Sequence, residues 1–382
     1  MDIDLPVALL GGLSPRAFMR HHWQKKPLLV RQAVPAGAAV VSRAQVFELA
    51  ASDVVESRLV VHREGRWTLR HGPFRRAALP ALKRAHWTLL VQGVDLHVDA
   101  ARALLERFRF IPDARLDDVM VSYATDGGGV GPHVDSYDVF LLQTHGRRRW
   151  RVGRVRDPSL VPGVPLKILS AFKPQFEWLL EPGDMLYLPP GWGHDGVAEG
   201  ECMTCSIGFR APARDDLATG VLQRALDAAE PSKANPLYRD ASQAATDAPG
   251  LVPPALQAFA TQAVARWLAN EGALACSLGE LLSEPKPGVV FEPASACTSS
   301  QRGVRLDRRS RMLYDDAFVF LNGESYRASG RDARVMRNLA DQRTLTDRQL
   351  LALGGAARHL LDEWLLAGWL HPCTTDDEGV LP

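Results

Sequence analysis

The sequence predicts an α+β chain in which a β-rich domain is followed by a helical region and a small C-terminal module. Between about residues 113 and 210, short apolar runs such as VMVSY, DVFLLQ and MLYLP are separated by Gly, Pro and Asp, which is typical of a β-sandwich or barrel. Beyond residue 212, apolar residues recur at helical spacing. We therefore predict three domains, at 1–211, 212–287 and 288–382.

The composition is that of an ordinary globular protein, with 46% hydrophobic and 23% charged residues. The 45 basic and 44 acidic residues nearly cancel, so no chain-wide attraction to nucleic acid or membrane is expected, although a local patch stays open. The N-terminus is acidic where a signal peptide is basic, and no stretch approaches the roughly 18 apolar residues of a membrane span. These features predict a cytoplasmic protein without membrane contact.

The five cysteines are an odd number scattered along the chain, which argues against a disulfide framework. Cys202 and Cys205 form a CxxC within CMTCSIGF, which has the pattern of a strand. No second CxxC accompanies it, so buried thiols are favoured over a zinc or redox site.

Ahead of the β-rich region, RAQVFELAA predicts a helix and RWTLRHGPF predicts part of a hairpin. After it, DDLATGVLQRALDAA predicts a helix, and residues 230–254 have the composition of a connector. From Leu256 to Leu268, apolar residues at i, i+3, i+4 and i+7 predict an amphipathic helix with a wide apolar stripe. This stripe would either pack within its own domain or form a dimer surface.

The C-terminal module combines FVFLNGESYRA, whose Asn-Gly pair signals a tight turn, with two helices in RDARVMRNLAD and AARHLLDEWLLAGWL. Helices and a hairpin in under a hundred residues predict a winged-helix-like fold. Arginines in residues 301–349 are mixed with acids, so a solvated or protein-contacting face is favoured, and DNA binding stays an alternative.

Candidate metal ligands occur in GVGPHVDSYDVF, residues 129–140, and in EPGDMLYLPPGWGHD. In a strand, His133 and Asp135 would point to one face, as they also would in a simple hydrogen-bonded surface pair. His194 follows a Pro/Gly turn and is the plausible third ligand. Two histidines and one carboxylate on one face of a metal suit Fe(II), whereas structural zinc takes a closed site.

The strand RRRWRV carries a further charged candidate. Successive side chains of a strand point to opposite faces, which places Arg148, Trp150 and Val152 on one face. Because Trp150 and Val152 are apolar, this face should be directed at the core. Arg148 therefore points inward and needs an anionic partner, either a buried carboxylate or a ligand. Arg147, Arg149 and Arg151 would lie on the other face, either solvated or in contact with a partner.

The stretch from Gly183 to His194 resembles the second cupin motif, G-x5-P-x-G-x-x-H, and HVD stands where the first motif has HxH. The glutamate usual in the first motif is absent. HxD…H on a cupin barrel resembles the JmjC-type 2-oxoglutarate oxygenases. GGGVGPHVDSYDVFLLQTHGRRRWRVG and FMRHHWQKKPLLVR are similar to the bacterial ribosomal oxygenases in particular.

The resemblance implies a double-stranded β-helix, that is a cupin/JmjC jelly roll, a helical dimerisation region and a winged-helix-like module. It implies Fe(II) bound by His133, Asp135 and His194, with 2-oxoglutarate and O2 as cosubstrates. Arg148 would grip the cosubstrate, and Ser122 could donate to it. Residues near the substrate would be Asp126, Tyr137 and Ser206.

The implied activity is hydroxylation of an arginine side chain in a large-subunit ribosomal protein by a homodimeric enzyme. Alternatives are a JmjC histidine hydroxylase or lysine demethylase, a small-molecule cupin enzyme, and a metal-binding cupin regulator without catalysis. Formaldehyde release from a methylated peptide would mark the demethylase, and DNA binding without succinate production would mark the regulator.

Overall fold

The computed structural model describes residues 2–37, 40–228, 235–293 and 303–373. The chain divides into two compact units, Met1–Ala211 and Pro212–Pro382, each with its own hydrophobic core. Cys297 and the first residues of the predicted connector lie outside the described residues. Within those residues, no helix combines the length and the apolar character that a bilayer crossing requires.

The first unit joins short helices to a large antiparallel sheet. Its helices are α1 (Pro15–His21), α2 (Arg43–Ala50) and α3 (Asp99–Glu106). Its strands are β1 (Leu28–Val30), β2 (Ser57–Arg63), β3 (Arg66–His71), β4 (Trp87–Val91), β5 (Leu116–Ala124), β6 (His133–Val134), β7 (Val139–Arg154), β8 (Phe176–Leu180), β9 (Met185–Leu188) and β10 (Trp192–Phe209). The predicted α2 helix and the predicted strand in RWTLRHGPF are confirmed.

The strands follow the order β1-β9-β7-β10-β5-β4-β2-β3, with β6 paired to β10 and β8 paired to β7. The two long strands, β7 and β10, hold the unit together, since the first part of β7 pairs with β9 and its later part with β8. Their mutual register shifts between Glu199 and Met203. At this point Gly146 is required, because a Cβ there would lie 2.0 Å from the carbonyl oxygen of Glu201.

One face of the sheet carries the main core. Phe18 of α1 is fully buried and packs edge-on against Tyr187, at a ring-centroid distance of 4.9 Å. Ser14 caps α1 by accepting a hydrogen bond from the backbone of Ala17, and Pro15 occupies the first turn. The N-terminal segment is thus fixed onto the sheet, and the opposite face is left to build the site.

The second unit is built from six helices and six short strands in its described part. The helices are α4 (Arg214–Asp227), α5 (Pro254–Leu268), α6 (Glu271–Ser283), α7 (Gly330–Gln342), α8 (Asp347–Leu351) and α9 (Gly355–Leu366). The strands are β11 (Gly303–Leu306), β12 (Met312–Tyr314), β13 (Phe318–Leu321), β14 (Glu324–Arg327), β15 (Thr344–Thr346) and β16 (Leu370–Pro372). They form two three-stranded sheets, β15-β11-β16 and β12-β13-β14.

The helix and hairpin predictions for this unit are confirmed. Asn322 and Gly323 both have positive φ, 52° and 91°, and join β13 to β14 as the Asn-Gly pair predicts. The core of the unit gathers around Leu339 of α7 and Trp364 of α9, which are 0% and 2% exposed. In contrast, α5 buries none of its residues.

Candidate metal centre

His133, Asp135 and His194 come together at one end of the long strands. His133 of β6 lies directly opposite His194 of β10 in antiparallel register, with ring centroids 4.2 Å apart. Oδ1 of Asp135 is 3.9 Å from Nε2 of His133, and Oδ2 is 3.6 Å from Nε2 of His194. One ligand atom from each residue lies within 4.8 Å of the others, a spacing that can hold one metal ion.

Backbone carbonyls orient both imidazole rings. Nδ1 of His133 lies 3.0 Å from the carbonyl of Gly131, and Nδ1 of His194 lies 3.2 Å from that of Trp192. A carbonyl only accepts, so each Nδ1 carries the proton and donates it. Each Nε2 therefore keeps a free lone pair directed at Asp135, which is the tautomer that binds a metal.

His194 is 2% exposed, whereas His133 and Asp135 are half-buried. Burial, followed by the charge of His133, lowers the pKa of His194 to about 4. At neutral pH the ring is accordingly uncharged and free to bind a cation. Gly193 beside it is required for packing, because a Cβ there would lie 2.6 Å from the side chain of Val155.

Arg148 faces the same interior, as its position in β7 predicts. It is 4% exposed, and its Nη1 donates to Oγ of Ser122 at 3.0 Å. Its Nε and Nη2 have no hydrogen-bond partner among the described residues. The alternative of a buried Asp or Glu partner is thus not realised there. A buried guanidinium with two open donors is costly by itself and is a ready receptor for a carboxylate.

Trp150 lies between the metal ligands and Arg148. In the register of β7 with β10, Val152 is opposite His194, Trp150 is opposite Gly196, and Arg148 is opposite Ala198. The Trp150 indole nitrogen is buried and has no partner among the described residues. A Cβ on Gly196 would lie 2.6 Å from the Trp150 ring, so glycine lets the indole lie on the β10 backbone.

A polar rim continues the interior along β5. Asp118 and Met120 share the face of Ser122, and Ser206 of β10 lies opposite Met120 and is 8% exposed. Tyr137, 39% exposed, borders this rim. Partial burial and then the carboxylates of Asp135 and Asp118 raise the Tyr137 pKa.

Asp126 takes a different position from the rim residues. It is exposed in the turn after β5, and its carboxylate accepts a hydrogen bond from the backbone of Gly200 at 2.8 Å. This hydrogen bond links the turn after β5 to Gly200 of β10. Contact between Asp126 and the substrate stays a prediction.

Sequence reasoning missed two contributors to the site. The sequence pattern predicts a core position for Trp150, whereas in the structure its unpartnered indole nitrogen also lies at the level between Arg148 and His194. Asp118 was not singled out, although it lies four residues before Ser122 and therefore on the same side of a strand.

A His-Asp-His cluster on an antiparallel β-fold, facing a buried arginine, has the composition of a JmjC-type metal centre. A JmjC domain model matches residues 103–217, and a ROXA-like winged helix model matches residues 266–371. Residues 103–217 thus form a JmjC domain, and residues 266–371 form a ROXA-like winged helix. The predicted cupin-type core and winged-helix fold are confirmed.

Its relatives include a protein named "Ribosomal protein uL16 3-hydroxylase" from Escherichia coli (strain K12), 42% identical over 55% of this chain and 57% of that protein. A "Probable ribosomal oxygenase" from Haemophilus influenzae is 37% identical over 55% of this chain and 52% of its own length. The aligned segment thus spans about half the length of these curated relatives.

Among solved structures, YcfD, a ribosomal oxygenase from Escherichia coli in complex with cobalt and 2-oxoglutarate, superposes with a TM-score of 0.79. It is 29% identical, and the match covers 94% of this chain and 98% of that chain.

Proposed function

We propose that the protein is an Fe(II)- and 2-oxoglutarate-dependent hydroxylase acting on an arginine side chain of a large-subunit ribosomal protein. The observation that carries this proposal is the buried Arg148, whose unpaired donors share an interior with His133, Asp135 and His194. A metal ion would bind the His-Asp-His cluster, and a dicarboxylate would pair with the open donors of Arg148. The names of the relatives supply the ribosomal target.

The ligand set suits Fe(II). Two neutral imidazoles and one carboxylate occupy one side of an ion and leave room for other ligands opposite. When bound, iron and 2-oxoglutarate together supply the oxidising power that inserts oxygen from O2 into an unactivated C–H bond. The side chains provide orientation and exclusion of water, and no general base is needed.

Arg148 is the proposed receptor for the distal carboxylate of 2-oxoglutarate. Along β7, Arg148 lies four residues from Val152, the residue opposite His194. At about 3.3 Å per residue, this separation is about 13 Å. An extended five-carbon diacid, reached by both side chains, would cross the level of Trp150 and Gly196. The unpaired indole N–H then borders the cosubstrate, and Ser122 holds the guanidinium in place.

The carboxylates of the polar rim favour a cationic target side chain. The carboxylates of Asp118 and Asp117 in β5 lie close enough to Tyr137 to raise its pKa. Asp118 is buried and accepts a hydrogen bond from the backbone of Gly93, and Asp117 lies 3.6 Å from Arg210. A guanidinium could lie against the Tyr137 ring and face these carboxylates. Methyl-lysine shares the charge of arginine, so demethylation is the second candidate, and it is separated by formaldehyde release.

We propose further that the protein is a homodimer joined through its helical region. Val264 and Leu268 of α5 are 60% and 41% exposed, and no residue of this helix is buried. A 15-residue helix with no buried residue gains little of the packing that stabilises helices in proteins. A second copy would cover this apolar face.

The direct test is the intact mass of large-subunit ribosomal proteins from cells with and without the gene. We expect one protein to be lighter by one oxygen atom in the deletion strain, and complementation to restore the mass. Complementation with D135A, which removes a proposed metal ligand, serves as the control. Identical masses in all strains would contradict the ribosomal assignment.

A further inference from the structure

The β2–β3 hairpin and the loop that follows it concentrate positive charge. This segment, residues 57–86, is called the basic hairpin below. It contains eight lysine and arginine residues and a single acid, Glu64, in a chain whose charges as a whole nearly cancel. All eight except Arg58 are exposed. The positive charge is therefore a local property of this surface.

Little of this charge is neutralised. Arg63 pairs with Glu64 at 3.2 Å, and Arg58 approaches Glu56 at 3.7 Å. The other six cations have no carboxylate within ion-pair distance among the described residues. The arginines of β7 differ, since Arg149 pairs with Glu177 and Glu199.

Part of the basic hairpin is also held in a fixed conformation. The guanidinium of Arg70 lies 5.4 Å from the centre of the Phe74 ring, and that of Arg76 lies 5.4 Å from the Phe47 ring. Stacking on an aromatic ring orders an arginine without cancelling its charge. Such side chains lose less conformational entropy when they bind an anion.

The basic hairpin adjoins the metal centre. His62 and Trp67 stack across the hairpin, with ring centroids 4.0 Å apart and planes within 8°. A Cβ on Gly131 would lie 3.2 Å from the Trp67 ring, and the Gly131 carbonyl accepts the hydrogen bond from His133. A partner bound to the hairpin would therefore lie close to His133 and the other proposed metal ligands.

We propose that the basic hairpin binds the phosphate backbone of RNA that accompanies the protein substrate. The choice of RNA rests on the proposed function, because a ribosomal protein is met together with ribosomal RNA. Unpaired arginines match phosphate in a bidentate manner, and neighbouring aromatic rings are common in RNA-binding surfaces. A basic ribosomal protein would itself be repelled here. The basic hairpin would therefore bind the RNA, and the carboxylates of the polar rim would face the protein.

The test is binding of a fluorescein-labelled ribosomal RNA hairpin to the full-length protein, followed by anisotropy over a salt series. Two charge reversals, R66E/R75E and K83E/R84E, involve side chains without ion pairs in the described residues. R331E/R334E, two exposed arginines of α7, is the matched control with the same change in charge. Thermal melts of every variant confirm folding.

We expect each hairpin variant to weaken RNA binding at least about tenfold, with the salt slope falling by about 0.7 for each lost phosphate contact. The control should stay within about twofold of the parent protein. Equal losses in the control and the hairpin variants would overturn the proposal, as would polyglutamate competing as well as RNA, which would assign the surface to an acidic protein. Hydroxylation of an isolated target peptide, measured separately, reports on the proposed activity alone.

Discussion

Nη1 of Arg148 donates a hydrogen bond to Oγ of Ser122 at 3.0 Å, across the strand β10 that separates β7 from β5. The hydroxyl fixes one edge of the guanidinium and leaves Nε and Nη2 open. The arginine is thus oriented before a ligand arrives, which lowers the entropic cost of binding.

Replacing Arg148 separates binding from stability. R148M should weaken 2-oxoglutarate binding by about 30- to 150-fold, since a charge-assisted pair contributes about 2–3 kcal/mol. Titration calorimetry with the cobalt-loaded protein measures this loss. Without 2-oxoglutarate, R148M should melt no lower than the parent protein, because it removes an unpaired buried charge. S122A should have a smaller effect, about three- to tenfold. Unchanged affinity in R148M would remove Arg148 from the cosubstrate site.

Gly196 tests the position of Trp150. G196A places a methyl group 2.6 Å from the indole ring, so the ring must move. We expect a loss of about 1–3 kcal/mol in the free energy of unfolding, measured in urea, together with weaker 2-oxoglutarate binding. W150F removes the N–H together with part of the indole ring, and should reduce affinity several-fold while also lowering the free energy of unfolding. Parent-like affinity in both variants would exclude the indole from the cosubstrate pocket.

Asp118 tests the preference for a cationic target. D118N keeps the shape and removes the charge, so KM for an arginine-containing peptide should rise about five- to tenfold while 2-oxoglutarate affinity stays constant. D126N is the matched control on the exposed turn. A larger effect of D126N would transfer the role to Asp126, which the sequence analysis proposed.

The helix α5 tests the homodimer. V264E places a charge on the exposed apolar face and should convert a dimer to a monomer in sedimentation analysis. L351E alters an exposed leucine of α8, 74% exposed, and should leave the mass in solution unchanged. A parent protein that is already monomeric would contradict the dimer.

Asp307 predicts acid sensitivity in the second unit. Burial acts to raise its pKa, but hydrogen bonds from His371 and Arg309 outweigh burial and lower the pKa below the ordinary 3.8. The carboxylate therefore contributes stability above that pH, and the contribution falls as the pH drops below it. The difference in Tm between the parent protein and D307N should be constant above about pH 5 and shrink as the pH falls from there to about 2. D316N, which alters an exposed aspartate in the same unit, is the control for the loss of one carboxylate.

Local patterns predicted much of this protein. The cupin-like spacing singled out His133, Asp135 and His194, and strand parity turned Arg148 inward, because both signals are contained in short stretches. Trp150 and Asp118 depend on which residues of β7, β10 and β5 face one another. That register is set by pairing between distant segments and by the shift near Gly146, and a single strand does not encode it.

The strand β10 begins beside the metal centre at Trp192 and ends in the main core at Phe209. A metal ion bound to His194 therefore also stabilises β10, on which the whole first unit depends. Because the ion binds the folded state, it shifts the equilibrium toward that state. We expect metal scarcity in the cell to abolish the activity and also to shorten the lifetime of the protein, because the metal-free form unfolds more often and is then cleaved by proteases.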